Sequence, residues 1–219
     1  ALVTGRVRLV GDYVAFVVAE STVQARDAAE LIKVDYEPLA SVTDTAAAAE
    51  SGAPKVWDDC PDNVCYFHEQ GDGAAVDAAI ARAQHVVSKR LVVNRVTAVA
   101  LEPRGCLGDY NRRTGRYTLY TGLQNPHPLR HQLARQVFNE PETSFRIVPG
   151  DVGGSFGMRG GTYHELALVL WASKKCGRPV KWLCERSEGF MSDDHARDNV
   201  SDVILALDER GKFLAMGVE

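Results

Sequence analysis

The sequence predicts an α+β fold with mixed connections. Two observations carry this: short stretches of strand periodicity alternate with helical faces in no regular strand–helix–strand series, and several of the strands return on themselves across tight polar turns. The chain has 219 residues, with 45% hydrophobic and 25% charged side chains, an ordinary balance for a chain that buries a core. At that length one domain or two small ones are expected.

The first 40 residues have a β-β-α-β rhythm. Val7 to Val10 reads as a short strand, and Gly11-Asp12 turns the chain. Tyr13 to Ala19 is almost continuously apolar and reads as a buried strand. Ser21 or Thr22 can cap a following helix whose inner face is Ala25, Ala28, Ala29, Leu31 and Ile32. Ile32 to Glu37 then alternates as a strand that stops at Pro38. From about Ala40 to Gly73 periodicity fades among Ala, Gly and Pro, which marks a connector and the best domain boundary.

Periodicity resumes at Val76, with Ala79, Ile80 and Ala83 on one helical face, and His85 to Val96 is a long β-like stretch. Leu107 to Tyr110 and Tyr117 to Thr121 form a hairpin around Asn111 to Gly115. Pro126 to Phe138 is helical, with Leu129, Leu133, Val137 and Phe138 on one side. Phe145 to Val148 is a strand leading into a glycine-rich segment. Tyr163 to Lys175 is helical, with Leu166, Leu168, Val169 and Trp171 apolar, and Gly177 closes it. Val180 to Leu183 is a strand, and Val200 to Leu207 pairs with Lys212 to Val218 over Asp208 to Gly211.

Composition narrows the function classes. A net charge of −4 argues against a nucleic-acid footprint, which needs a clustered basic face. No apolar run approaches the roughly 20 residues of a membrane span. The five cysteines form no C-x-x-C pair, so neither a zinc ribbon nor an iron–sulfur ligand set is indicated. They read as reduced, buried or half-buried thiols of a cytoplasmic protein. Ala1-Leu2-Val3-Thr4 and the strand-like Lys212 to Glu219 both read as interior sequence, so the chain is expected to be a segment of a longer one.

The most informative stretch is GDVGGSFGMRGG, Gly150 to Gly161. Glycines after a strand and before a helix let a ligand approach the main chain, and successive amides there can face an anion or an oxo group. The spacing is not that of a dinucleotide fingerprint, and no G-K-[ST] closes a phosphate loop. Gly153-Gly154-Ser155-Phe156-Gly157 does satisfy G-x-S-x-G, the nucleophile elbow of serine hydrolases, with His164 and His195 downstream. No strand–helix series surrounds it. Gln124 lies where a strand gives way to a helix, and its amide can donate to an oxo group or bond the local backbone. His127 and His131 have i, i+4 spacing but lack the Glu and third ligand of a metal site. Asp193 to Asp198 reads as a solvated turn, while Arg90, Arg95 and Arg104 either contact an anionic ligand or face water.

Four segments in register resemble one family. VGGSFGMRGG is similar to the GGGFG loop of molybdenum hydroxylase large subunits, and TGLQNPHPLRHQLA to their Gln-Asn pair opening a helix. ALEPRGCLGDYNRRTGRYTLYTG resembles their EPR segment and hairpin. VGDYVAFVVAESTVQARDAAELIKVDYEPL looks like the last part of the small hammerhead-like α/β domain preceding the cofactor domain. The resemblance is to the xanthine dehydrogenase, aldehyde oxidase and aerobic carbon monoxide dehydrogenase family. It implies a division into the end of the small α/β domain (1–45), a connector (46–75) and the first part of a molybdopterin-binding domain (76–219).

The resemblance implies molybdenum held by a molybdopterin dithiolene, often the cytosine dinucleotide form in bacteria. It implies oxidation of an aldehyde, an N-heterocycle or carbon monoxide with oxygen from water. Gln124 would hydrogen-bond a molybdenum oxygen or the pterin. Gly154, Phe156 and Gly157 would be the loop positions that approach the cofactor, the Phe156 ring walling the substrate funnel. No residue of this segment would ligate the metal directly. Purine-hydroxylating members carry a Glu shortly after the Phe-Gly pair, where this sequence has Gly160, so a purine substrate is not expected. The family's general base lies far towards the C-terminus, so no catalytic residue is expected here and the isolated segment should be inactive. Iron–sulfur and FAD centres are expected on partner chains or other parts of an oligomeric complex. The remaining alternatives are a serine hydrolase using Ser155, or a non-catalytic assembly module of the same fold.

Overall fold

A computed structural model describes residues 2–219. In chain order they form α1 (Thr22–Glu30), α2 (Gly73–Arg82), β1 (His85–Val93), β2 (Val96–Thr97), β3 (Gly105–Asn111), β4 (Arg116–Thr121), α3 (Pro126–Gln132), β5 (Phe145–Val148), α4 (His164–Cys176), β6 (Val180–Leu183), α5 (Arg186–Ser192), β7 (His195–Ala196), β8 (Asn199–Leu207) and β9 (Phe213–Val218). The mixture of helices with antiparallel and parallel pairing is the α+β class expected. Two units divide the chain, one of residues 2–36 with 97–195 and one of 37–96 with 196–219.

In the first unit the sheet order is β5-β4-β3-β6. The β3–β4 hairpin is antiparallel, with Leu107 opposite Tyr120 and Asp109 opposite Thr118, and β6 adds antiparallel on the other side of β3. Strand β5 runs parallel to β4, which requires a crossover rather than a turn. That crossover is α3 and the helical turn after it. Pro126 sits at the start of α3, where its missing N–H costs nothing. Sequence periodicity predicts one helix to Phe138, but Leu133–Phe138 is π-helical and ends at Asn139 in the left-handed region. Such wide turns often accompany functional sites.

The core lies between this sheet and α4. Tyr117, Leu119, Leu133, Val169 and Leu170 are fully buried. Tyr117 stacks on Phe145 at 4.7 Å between centroids, with Phe138 tilted against both. The Tyr117 hydroxyl accepts from Lys174 Nζ (2.7 Å) and donates to Glu140 Oε1 (3.1 Å), so its one polar atom is satisfied. Helix α4 buries Leu166 to Leu170 and Ala172 and ends on Gly177 at φ 68, while the apolar Trp171 is half exposed. Gly108 lets α4 approach β3, because a Cβ there would lie 2.7 Å from the Val169 backbone.

The second unit is a three-stranded antiparallel sheet, β1-β8-β9. Asp72 caps α2 by accepting from Ala75 N–H, and the helix buries Ala79. Residues 37–72 are largely irregular, held locally by Asn63, whose amide donates to Ala48 O and Pro54 O.

Residues 2–36 depart from the expected rhythm. Helix α1 forms with Ser21 as cap, its Oγ accepting from Gln24 N–H. The three expected strands around it, Val7 to Val10, Tyr13 to Ala19 and Ile32 to Glu37, form no ladder among the described residues. The physical reason is pairing. An apolar extended run becomes a strand only when a neighbour takes its backbone groups, and here a backbone bond from Val3 N–H to Tyr13 O (2.9 Å) joins two of the extended stretches without a continuing ladder. Tyr13, Phe16 and Val17 are accordingly half-buried rather than buried.

Gly108→Ala should force α4 off β3 and cost about 1–3 kcal/mol as an overpacked core position. This is read as a lower urea midpoint at unchanged m-value.

Candidate functional site

The glycine-rich segment leaves β5 and is fixed near its start by a two-way exchange with Glu102, one bond to backbone and one to its carboxylate. Glu102 N–H donates to Gly153 O (3.2 Å), and Gly153 N–H donates to Glu102 Oε2 (2.8 Å). A Cβ on Gly153 would lie 2.5 Å from Glu102 Cβ, so only glycine permits this approach. Gly154 (φ +108) and Gly157 (φ +98) occupy conformations open to glycine. Between them Phe156 is held at φ 54 with its residue 80% exposed. A bulky residue in that region carries strain of about 1–3 kcal/mol and persists only where its surroundings over-determine it.

The surroundings are two arginines. Arg159 is buried, its Nη2 donating to Glu102 O and to Pro103 O (3.1 Å). Its Nη1 lies 2.8 Å from Glu102 Oε2, out of line for a hydrogen bond, so that contact is one of charge alone. Its backbone N–H donates to Ser155 Oγ (3.1 Å), its carbonyl accepts from Gln124 N–H (3.2 Å), and Ser155 Oγ donates to Gln124 Oε1 (2.6 Å). Gln124, Ser155 and the turn to Arg159 are thus one connected structure. Gln124 and Phe156 are exposed beside it, and the Cα of Gly157 faces open space.

Arg104 fixes the far end of the loop. Its guanidinium donates from Nη1 to Glu165 Oε1 (2.5 Å), from Nε to Asp193 Oδ1 (2.7 Å) and from Nη2 to Ser192 Oγ (2.6 Å). It also lies 3.9 Å from the centre of the Tyr163 ring. Tyr163 in turn donates to Met158 O (2.9 Å) and accepts from Asp194 N–H (2.9 Å), tying the loop to the segment after α5. Burial raises the Glu165 carboxyl, opposed by Arg104 and by the hydrogen bond from Tyr13 (2.7 Å). Burial would also weaken the protonation of Arg104, but Glu165 more than restores it, and the guanidinium stays charged.

Several sequence expectations are therefore revised. Arg104 neither meets solvent nor stands open to an anionic ligand; it is a buried ion-pair hub. Asp193 is part of that hub rather than of a solvated turn. A signal for the buried cation was in the sequence: Glu165 falls on the same face of α4 as buried Leu168, Val169 and Ala172, and a carboxylate there demands a buried cation. Helix α5 was not anticipated. Cys106 and Cys184 are buried as expected, whereas Cys65 and Cys176 are exposed. His131 pairs with Glu142 (3.0 Å), and among the described residues no group of three or more His, Cys, Asp or Glu could hold a metal.

Ser155 does not have the setting of a hydrolase nucleophile. Its proton goes to an amide carbonyl, not to an imidazole. His164 packs edge-on against Tyr13, and His195 Nε2 pairs with Phe190 O.

What the loop can do is present backbone and one amide to a ligand without obstruction. The glycine conformations at 154 and 157 and the exposed Gln124 leave backbone groups and one amide accessible.

The chain belongs to the molybdopterin cofactor-binding domain family, whose model matches residues 56–219. Residues 1–40 match the a/b hammerhead domain of aldehyde oxidase and xanthine dehydrogenase. The chain is 34% identical over 98% of its length to the 6-hydroxypseudooxynicotine dehydrogenase complex subunit gamma of Paenarthrobacter nicotinovorans, covering 26% of that protein. It is also 34% identical, over 93% of its length, to the carbon monoxide dehydrogenase large chain of Afipia carboxidovorans, again covering 26%. Quinoline 2-oxidoreductase from Pseudomonas putida 86 superposes with a TM-score of 0.89 at 34% identity over 99% of this chain and 27% of that one. The chain thus spans about a quarter of the length of these relatives. Among the described residues no helix is long and apolar enough to cross a membrane.

Two outcomes test the buried hub. Arg104→Met should lose about 3–5 kcal/mol of stability, because Glu165 is left charged and unpaired inside the protein. This is measured as a fall in the urea midpoint. Burial, reinforced by Glu188, pushes the Cys184 thiol up to about 12, and burial raises Cys106 as well. With iodoacetamide at pH 8, both cysteines should stay unmodified by mass spectrometry until denaturant is added.

Proposed function

We propose that this chain forms part of a molybdopterin-dependent hydroxylase or dehydrogenase that oxidises an aldehyde, an N-heterocycle or carbon monoxide with oxygen from water. The observation that carries the proposal is the strained, exposed loop at Phe156–Gly157 with Gln124 locked beside it. The molybdenum–pterin group, when bound, supplies the two-electron redox chemistry.

This chain's own residues bind and orient. The Gln124 amide donates to an acceptor on the cofactor. Gly154 and Gly157 let the backbone come close to it, and the Phe156 ring forms one wall of the space a substrate enters. The glycine conformations fit this role, since a side chain at 157 would both strain the backbone and occupy the open space beside it. No group among these four is a proton acceptor of useful basicity, so the general base stands elsewhere in the enzyme. Gly160 leaves no carboxylate for a purine.

Residues 1–45 are read as the end of a small α/β domain, 46–75 as a connector and 76–219 as the first part of the cofactor domain. The cofactor is read as the cytosine dinucleotide form. Electrons leave through iron–sulfur and flavin centres on partner chains or other parts of a cytoplasmic, oligomeric complex. A multi-chain setting is supported by the name of the P. nicotinovorans relative, a complex subunit.

The test is metal content in the full-length protein purified with its partners. Molybdenum should be stoichiometric with the chain by mass spectrometry of the metal, and Gly157→Val should lower it severalfold. Full-length protein without molybdenum, grown with molybdate, overturns the proposal. The isolated 219-residue segment should show no steady turnover of aldehydes or heterocycles.

A further inference from the structure

Gln124 has two chemically opposite ends, and the end that faces outward decides what it recognises. Its Oε1 lies 2.6 Å from Ser155 Oγ. That separation suits an O–H···O contact and is short for N–H···O, whose usual length is about 2.9–3.0 Å. Ser155 Oγ already accepts the Arg159 N–H at 3.1 Å, so its single proton is directed to the Gln124 carbonyl. The backbone of Gln124 is bound to the same turn through Arg159 O (3.2 Å). Arg159 is itself immobile, buried and fastened to the carbonyls of Glu102 and Pro103. The amide is therefore held at both its backbone and its oxygen, and Nε2, on an exposed residue, is left with two protons to donate. Among the described residues no protein acceptor pairs with it.

We propose that Ser155 is a positioning residue whose hydroxyl fixes the orientation of the Gln124 amide, so that only N–H donors face the cofactor. The assignment rests on the reading that the cofactor lies against this loop. It gives the serine of the G-x-S-x-G pattern a role in place of nucleophilic attack. The Ser155 proton is never transferred; it remains in the hydrogen bond. Without the hydroxyl, the carboxamide can turn and present its carbonyl, which repels an acceptor rather than binding it.

The test uses the full-length enzyme with its partners, reduced with sodium dithionite, and reads the electron paramagnetic resonance signal of molybdenum together with molybdenum content. This readout does not depend on knowing the substrate. Gln124→Met should shift the signal, and Ser155→Ala should shift it in the same direction at unchanged molybdenum content. The double variant should shift it no further, and Ser155→Thr, which keeps the hydroxyl, should restore the native signal. If Ser155→Ala fails to load metal, Ser155→Cys carries the same comparison with a weak donor in a similar shape. A signal indifferent to Gln124→Met would sink the cofactor reading itself. A signal that responds to Gln124→Met but not to Ser155→Ala or Ser155→Cys would overturn the role of Ser155 alone. Failure of Ser155→Thr to restore it would show that the hydroxyl is not the cause.

Discussion

The first unit depends on one buried cation. Arg104 spends its three nitrogens on Glu165, Asp193 and Ser192, which lie on the first turn of α4 and the end of α5. Its flat face covers Tyr163, the last residue of the glycine-rich connection. Removing a guanidinium and a carboxylate from water costs several kcal/mol per ion, and only good geometry with further hydrogen bonds offsets it. The planar fork of donors on arginine reaches all three partners at once, which a lysine could not copy. The consequence is positional: the start of β3, the start of α4 and the end of α5 are held to one point.

The loop is strained because its two ends are held in this way. Phe156 in the left-handed region is unfavourable by itself. The exchange between Glu102 and Gly153 at one end, and the Tyr163 hydroxyl on Met158 O near the other, leave the intervening residues few alternatives. Arg159, turned inward onto the Glu102 and Pro103 carbonyls, closes the remaining freedom. A rigid loop of this kind holds backbone groups ready before a ligand arrives, which reduces the ordering cost of binding.

Much of this was legible in the sequence and the omissions have physical causes. The β3–β4 and β8–β9 hairpins, β5, β6 and the ends of α4 follow from local periodicity and turn residues, and all appear where expected. The strands expected within residues 2–37 do not, because strand formation needs a partner that periodicity cannot supply. The loop was found because glycine spacing is a backbone signal. The network behind it was missed because Arg104 and Asp193 stand 89 positions apart and are joined only by folding. Ser155 was legible as part of a motif, but its real partner, Gln124, is 31 positions earlier, not a histidine downstream.

The central claim is that the Phe156–Gly157 backbone and the Gln124 amide bound the cofactor's place. The direct measurement is a crystal structure of the full-length protein with its partners, with diffraction recorded on both sides of the molybdenum absorption edge. The account predicts an anomalous peak in the open space between the Gln124 side chain and the Gly157 backbone. A peak remote from both residues in a fully loaded crystal would contradict it.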